Sequence, residues 1–286
     1  MISVCIVTLN TRKYLKRCLD SLPKAFGSLN FEIIIIDNAS NDGTVDLIKE
    51  CYPNVVYLKN NKNLGYTIPM NQAISIAKGD YILQLNPDTE LDANSISIQI
   101  EYMEKNQDVG ICIPKIIDGN GDFQKSSRRG VPTPWATISY FLGLSRLLSE
   151  NTFFTKYRLE HLDENTICEV DAVSGSCMLI KREVIDQIGM LDEKFFAYQE
   201  DSDFCFRAKK ANWKILYNPA SKITHFTGKG GSKTFPILSL FEWHRSYYYL
   251  YKKHLSNNYS KIFNLLYAFI MIIKLLISTS IYLLKR

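Results

Sequence analysis

The chain has 286 residues, 46% of them hydrophobic and 22% charged, with a formal net charge of +5. These proportions exclude a disordered chain and leave room for one large domain, or one domain with an appendage. Seven cysteines (Cys5, Cys18, Cys51, Cys112, Cys168, Cys177 and Cys205), odd in number and without a CxxC pair, argue against a disulfide framework or a zinc site and for reduced thiols in a reducing compartment.

Ile2–Val7 is a β-branched run with no basic segment before it, so it reads as a first buried strand and not as a signal peptide. Tyr14–Leu22 places Leu15, Leu19 and Leu22 at helical spacing, Phe31–Ile36 is a second strand ending at Asp37, and Val45–Cys51 a second helix. Val55–Leu58 is a third strand, followed by the polar run Asn60–Gly65 and a helix around Asn71–Ala77; Tyr81–Leu85 is the fourth strand. Strands alternating with helices of about ten residues are βαβ units, which predicts an α/β fold with a mainly parallel sheet and helices on both faces.

Three strand ends carry polar residues where an open α/β sheet binds ligands. The first runs into Thr8-Leu9-Asn10-Thr11-Arg12. The second runs into Asp37-Asn38-Ala39-Ser40-Asn41-Asp42-Gly43-Thr44, whose backbone N–H groups and following helix suit a phosphate or nucleoside. Asp37 either accepts hydrogen bonds from a base or ribose or closes the loop as an Asx-turn. The fourth strand breaks at Asn86-Pro87-Asp88, where Asp88 is either a carboxylate for a metal or phosphate or a turn former. Neither GxGxxG nor GxxxxGK[ST] occurs, which disfavours a dinucleotide fold and a P-loop.

A helix at Ala93–Lys105 and a fifth strand at Val109–Ile117 lead to the hairpin turn Asp118-Gly119-Asn120-Gly121-Asp122. Lys125, Arg128 and Arg129 follow, either a solvated loop or cations for a diphosphate. Residues 131–165, with Trp135 and an apolar helix around Tyr140–Leu148, are expected to form a lid or an acceptor-binding insertion. Val170–Ile180 is a strand after a small-residue loop containing Asp171, Gly175 and Ser176, and Arg182–Ile188 a helix. In Phe195-Phe196-Ala197-Tyr198-Gln199-Glu200-Asp201-Ser202-Asp203 two aromatics introduce three acids at the start of a helix. The helix dipole accounts for one or two of them; the apolar approach would desolvate a carboxyl and raise its pKa toward that of a general base. Asp203 either faces the helix's solvent side or pairs with Arg207, four residues on. A last strand, Trp213–Tyr217, precedes His225 and a loop rich in glycine whose Lys229 or Lys233 could close over a diphosphate.

The tail holds the charge. Residues 240–286 carry seven cations (Arg245, Lys252, Lys253, Lys261, Lys274, Lys285, Arg286) against Glu242, a net of +6, so the other 239 residues sum to −1. A basic, apolar tail on a neutral body points to an anionic membrane surface and away from nucleic acid. The longest apolar run in Ile262–Leu284 is Leu265–Ile273, nine residues, and Lys274 interrupts it. A spanning helix is therefore not expected. Ser260, Asn264, Tyr267, Met271, Lys274, Ser278 and Lys285 form one helical stripe opposite a wide aliphatic face, which suits a helix lying in the membrane interface or pairing with a second copy in a homodimer.

The order Ile-Val-Thr-Leu-Asn, Ile-Asp-Asn-Ala-Ser-Asn-Asp-Gly-Thr, Asn-Leu-Gly, Leu-Asn-Pro-Asp and the later Glu-Asp pair resembles family 2 glycosyltransferases of the GT-A fold, most closely their bacterial rhamnosyltransferase-like branch, over roughly residues 1–250. The resemblance implies a GT-A domain at 1–235, divided into a nucleotide-sugar half (1–118) and an acceptor and catalytic half (119–235), with a membrane-associating tail at 236–286. It implies an inverting transfer of L-rhamnose or another hexose from a dTDP- or UDP-linked donor to a polyprenyl-diphosphate-linked glycan, at the inner face of the cell membrane. Thr8, Asn10, Asp37, Asn38, Asn63, Gly65, Asn86, Asp88, Arg128, Arg129 and Lys229 would hold the donor, and Asp88, His225 and Asn86 a Mg²⁺ or Mn²⁺ ion. Asp201 would be the base and Glu200 its support, with Asp171, Gly175, Ser176 and Trp135 on the acceptor side. Asn86 departs from the family's usual Asp, and a neutral amide is a weaker ligand for a hard cation. Two rival classes share parts of the pattern: a nucleotidyltransferase, which would need glycines that Thr8–Arg12 lacks, and a non-catalytic glycan- or nucleotide-binding scaffold.

Overall fold

A computed structural model describes residues 1–141, 157–228 and 235–284. Most of the expected Tyr140–Leu148 helix, and Lys229 and Lys233, lie outside these residues.

β1 (Ile2–Thr8) is buried at all seven positions, as a β-branched run in the middle of a sheet must be. It pairs in parallel with β2 (Phe31–Asp37) on one side and β4 (Tyr81–Leu85) on the other, and β2 pairs in parallel with β3 (Val56–Lys59). α1 (Arg12–Phe26) buries Leu15, Cys18, Leu19, Leu22, Ala25 and Phe26, the i, i+3, i+4, i+7 face that the sequence shows. α2 (Thr44–Cys51), α3 (Thr67–Ile76) and α4 (Ser95–Lys105) complete the alternation.

Beyond β4 the sheet becomes mixed. β6 (Val109–Ile117) is separated from β4 by β10 (Cys177–Lys181), which runs antiparallel to both, with Cys177 opposite Leu85 and Leu179 opposite Cys112. The expected strand Val170–Ile180 is in fact broken. A two-residue β8 (Cys168–Glu169) and β9 (Ala172–Val173) precede a loop, and β9 pairs with β7 (Arg128–Arg129) in a separate ribbon. α6 (Arg182–Ile188) follows β10, and α7 (Glu200–Lys210) starts at the acidic cluster.

The last strand exceeds its expected end at Tyr217. β11 runs from Lys214 to His225, and Asn218-Pro219-Ala220-Ser221, which reads as a strand end, is a bulge in it. A bulge tolerates proline because its extra residues make no ladder bonds. After the bulge β11 pairs with β5 (Thr89–Leu91), a three-residue strand without a sequence signal, so that His225 faces Thr89 and Phe226 N–H donates to Asp88 O at 2.8 Å. The bulge thus brings the end of the chain's last strand to the end of its fourth.

One apolar core runs from Ile2 to Leu250, and all seven cysteines are free thiols. α8 (Pro236–His254) contributes Leu250 to that core, and α9 (Lys261–Leu284) packs on α8 through Tyr267 and Met271 in a smaller cluster with Tyr247 and Tyr251. α9 is a continuous 24-residue helix of mean hydropathy 2.0, long and apolar enough to cross a membrane. The nine-residue run understated it, because the single Lys274 that ends the run does not interrupt the helix.

Candidate active site

The carboxyl ends of β1 and β4, the Asn-Leu-Gly loop, the turn before β10, the start of α7 and one face of α8 enclose a cavity of about 480 Å³. Its donor side is lined by Thr8, Asn38, Asn63, Gly65, Asn86 and Asp88. Asn38 organises this side: its amide donates to Asn63 Oδ1 (2.8 Å) and Gly65 O (2.6 Å), and its oxygen accepts from Leu64 N–H (3.1 Å). Gly65 is required by space and conformation together. Its φ is +85°, and a Cβ there would lie 2.3 Å from Phe196 O, the carbonyl that accepts from Tyr66 N–H at 2.7 Å. Gly65→Ala is expected to lower unfolding free energy by roughly 2–3 kcal/mol, read by urea denaturation, because alanine adds left-handed strain to a contact with backbone that cannot yield.

Asp37 and Asn10 stand behind this wall and do not line the cavity. Asp37 is fully buried; Oδ1 accepts from Ser40 N–H (3.0 Å) and Oδ2 from Tyr57 O–H (3.0 Å). Asn10, at φ 53°, accepts from Asn41 N–H and ties the first loop to the second.

At the end of β4, Asp88 Oδ1 and His225 Nε2 are 3.2 Å apart, and Asn86 Nδ2 lies 3.5 Å from the same nitrogen. His225 Nδ1 is 3.0 Å from Gln124 Oε1, which can only accept, so Nδ1 carries the proton and Nε2 turns its lone pair toward Asp88. Two acceptors facing each other at this distance call for a proton or a cation between them. A divalent cation fits the carboxylate and the imidazole, the latter oriented from behind by Gln124; Asn86 presents its amide nitrogen, a donor, and would ligate only through its oxygen. Among the described residues no third His, Cys, Asp or Glu joins them. The remaining ligands would come from water and a diphosphate, the usual arrangement for Mg²⁺ and Mn²⁺.

Across the cavity, Asp201 and Glu200 open α7 behind two consecutive non-glycine residues in the left-handed region, Tyr198 (φ 68°) and Gln199 (φ 63°). Strain of this kind persists where the surroundings over-determine it. Asp201 Oδ2 accepts from Arg129 Nη2 (2.6 Å) and Gly175 N–H (3.1 Å), and Oδ1 from Ser202 N–H (2.6 Å). Glu200 is buried, its Oε2 has no hydrogen-bond partner among the described residues, and its pKa is raised to about 8, first by burial and then by the charge of Asp201. Both carboxyls are buried, and the one without a cation beside it is Glu200. The sign of the effect on stability follows. A carboxyl with a raised folded-state pKa contributes stability in full below the ordinary carboxyl range, and that contribution is lost as pH rises to about 8. Glu200→Gln is expected to gain stability over the wild type as pH increases from 5 to 9, by a few kcal/mol on the order of the shift, in melting curves across that range.

The ribbon of β7 and β9 separates Arg128 from Arg129. Adjacent strand residues face opposite ways, so only one of the pair can reach the cavity. Arg129 does, committed to Asp201 and Val173 O; Arg128 turns away, stacks 4.6 Å over the Tyr217 ring and donates to Asp163 O at 3.0 Å. The expectation of a paired diphosphate clamp is corrected accordingly. Gly175 and Ser176 line the cavity. Asp171 does not, being paired with Lys209 (2.7 Å), and neither does the half-exposed Trp135 on α5 (Pro134–Phe141). Asp203 is fully buried, which rules out the solvent-facing alternative, and it pairs with Arg207 (2.9 Å) and with Lys253 and His254 of α8.

The family model of glycosyl transferase family 2 matches residues 3–189. The chain belongs to that family. This glycosyltransferase is 29% identical over 266 residues to the N-acetylglucosaminyl-diphospho-decaprenol L-rhamnosyltransferase of Mycobacterium tuberculosis, covering 89% of this chain and 85% of that one. It is 25% identical to the rhamnosyltransferase WbbL of Escherichia coli, over 90% and 96% of the two chains. Among solved structures it resembles residues 1–349 of S. aureus TarS (TM-score 0.55, 17% identity, 84% of this chain and 64% of that one). It also resembles GalNAc-T7 solved with UDP, GalNAc and Mn²⁺ (TM-score 0.60, 18% identity, 88% and 47%). The glycosyltransferase spans less than two thirds of these solved chains, and at such identities they establish its GT-A fold alone.

Its sequence conceals part of the cavity wall. Phe235, Leu238, Ser239, Glu242, Trp243 and Tyr247 of α8 all line it. Their spacing of three and four marks one helix face, but nothing in the chain says where that face docks. Gln124, which orients His225, looks like any polar hairpin residue.

Proposed function

We propose that this chain is a metal-dependent, inverting transferase that moves L-rhamnose or another hexose from a dTDP- or UDP-linked donor to a hydroxyl of a polyprenyl-diphosphate-linked glycan. The observation that carries this reading is that Asp88 with His225, and Asp201 with Glu200, open on one cavity. The names of the two rhamnosyltransferase relatives, which align over nearly the whole chain, support the sugar, and the mycobacterial one supports the acceptor class.

The donor lies against Thr8, Asn38 and the Asn63–Gly65 loop, with its diphosphate at Asp88, His225 and Asn86. A divalent cation bound by these residues supplies positive charge to the departing diphosphate. Asp201 accepts the proton of the acceptor hydroxyl as that oxygen forms its bond to the anomeric carbon. The bond from that carbon to the diphosphate breaks on the opposite face and its electron pair leaves with the diphosphate. Arg129 is the counter-ion of Asp201 and holds its carboxylate against Gly175. Glu200, protonated at neutral pH by its burial, donates to a sugar hydroxyl.

The test is a panel of UDP-, dTDP- and GDP-sugars with Mn²⁺ or Mg²⁺. Sugar-dependent release of nucleoside diphosphate supports transfer. Pyrophosphate exchange would instead identify a nucleotidyltransferase, and silence a scaffold.

A further inference from the structure

α9 is built inside out. Its outward residues are apolar, with Ile262 74%, Leu265 73%, Phe269 60% and Leu276 61% exposed. Asn264 and Lys274 turn inward: Asn264 accepts from Tyr251 O–H of α8 and its Nδ2 donates to Ser256 O, just past the end of α8, at 3.1 Å, and Lys274 Nζ lies 4.3 Å over the Trp243 ring and 3.2 Å from His244 Nε2. An apolar face of this extent, left in water, marks an interaction surface.

Packing decides how that face is used. Tyr251 packs against Tyr267 with the rings tilted by 43°, and Lys274 lies over Trp243, so α9 runs antiparallel along α8. α8 is itself fixed to the body by Leu250 in the core and by the 2.6 Å contact of His254 Nε2 with Asp203. A spanning orientation would pull α9 off these partners; lying flat keeps them. Charge agrees. The one cation in the middle of α9, Lys274, is withdrawn from the outward face, while Lys261 opens the helix and Lys285 and Arg286 follow it in the sequence, a charge pattern that suits anionic headgroups. The apolar surface also continues onto the first turns of α8, toward which the last turns of α9 run. Phe235, Ile237, Leu238 and Phe241 are 45%, 50%, 39% and 46% exposed, and Phe235 and Leu238 line the cavity as well.

We propose that the outward face of α9 and the first turns of α8 form one seat on an anionic bilayer, with α9 in the plane of the interface and the cavity mouth at the lipid surface. Phe235 and Leu238 are then the subsite for the apolar chain of the acceptor, which passes from the bilayer into the cavity; this last part rests on the lipid-linked acceptor proposed above.

The test is flotation of the full chain with vesicles of about three parts phosphatidylcholine to one part phosphatidylglycerol. The wild type is expected to float. Leu265→Ser/Phe269→Ser/Leu276→Ser is expected to lower partition by at least about tenfold, and Ile237→Ser/Phe241→Ser, on a separate helix, by several-fold. Near-UV circular dichroism checks that each variant is folded. A C-terminal tag on the bound protein is expected to be cleaved by protease added outside sealed vesicles. A protected tag means spanning and overturns the proposal. So does a wild type that stays unbound as a dimer and becomes monomeric on the triple substitution, which would make α9 a contact between copies. Unchanged flotation of Ile237→Ser/Phe241→Ser also overturns it. Flotation without nucleoside diphosphate release in the sugar panel would leave the seat standing and remove the transferase reading.

Discussion

Asp201→Asn is expected to reduce sugar transfer by between about 10² and 10⁴-fold, the range that a positioned general base supplies. Glu200→Gln is expected to cost about tenfold, because glutamine still donates a hydrogen bond from the same place. One complication is built into the site. Arg129 is buried against Asp201 at 2.6 Å, and removing the carboxylate leaves a buried cation unpaired, at roughly 3–5 kcal/mol in stability. Asp201→Asn/Arg129→Met separates the two effects. It is expected to recover most of the stability of the single variant in urea denaturation and none of its activity. If Glu200→Gln proves the more damaging change to kcat, the base is Glu200, the carboxyl that burial has already made more basic.

Asp88→Ala is expected to abolish turnover and to weaken Mn²⁺-dependent binding of the nucleoside diphosphate by at least about 100-fold in calorimetry, while Asn86→Ala costs about tenfold. The ranking follows from charge and geometry. Asp88 supplies the one carboxylate in contact with His225, at 3.2 Å, whereas Asn86 offers a neutral amide at 3.5 Å. With so few protein ligands, metal and nucleotide are expected to bind tightly only together. The imidazole should favour Mn²⁺ over Mg²⁺. Equal losses in the two variants would overturn the ranking.

Local pattern made the first half of the fold legible. β1 and β4 are runs buried along nearly their whole length, β2 is buried over its last four residues, and α1 shows its apolar face in the order of its residues. What long-range pairing decides was not legible. β5 exists because β11 returns beside it, and β11 reaches it only by passing a proline in a bulge that reads as a strand end. At the site, Asp88, His225 and Asp201 come together from three distant stretches as the motifs imply, because each stands at the end of an element whose neighbours in the sheet are fixed. Arg128 misled for the opposite reason. A charge run shows composition, and the strand alternation that sends Arg128 outward and Arg129 inward needs the partner β9 to be known. The acid cluster was legible as a buried pair, but not which acid meets the cation: Arg129 reaches Asp201 from a distant strand, and Glu200 is left with burial alone.

The central claim is a single displacement at the anomeric carbon with Asp201 as base and no covalent intermediate. The most direct measurement is the anomeric configuration of the transferred sugar, read by proton NMR on the product of the donor that the panel identifies. Inversion relative to the donor is the predicted result; retention would contradict the account.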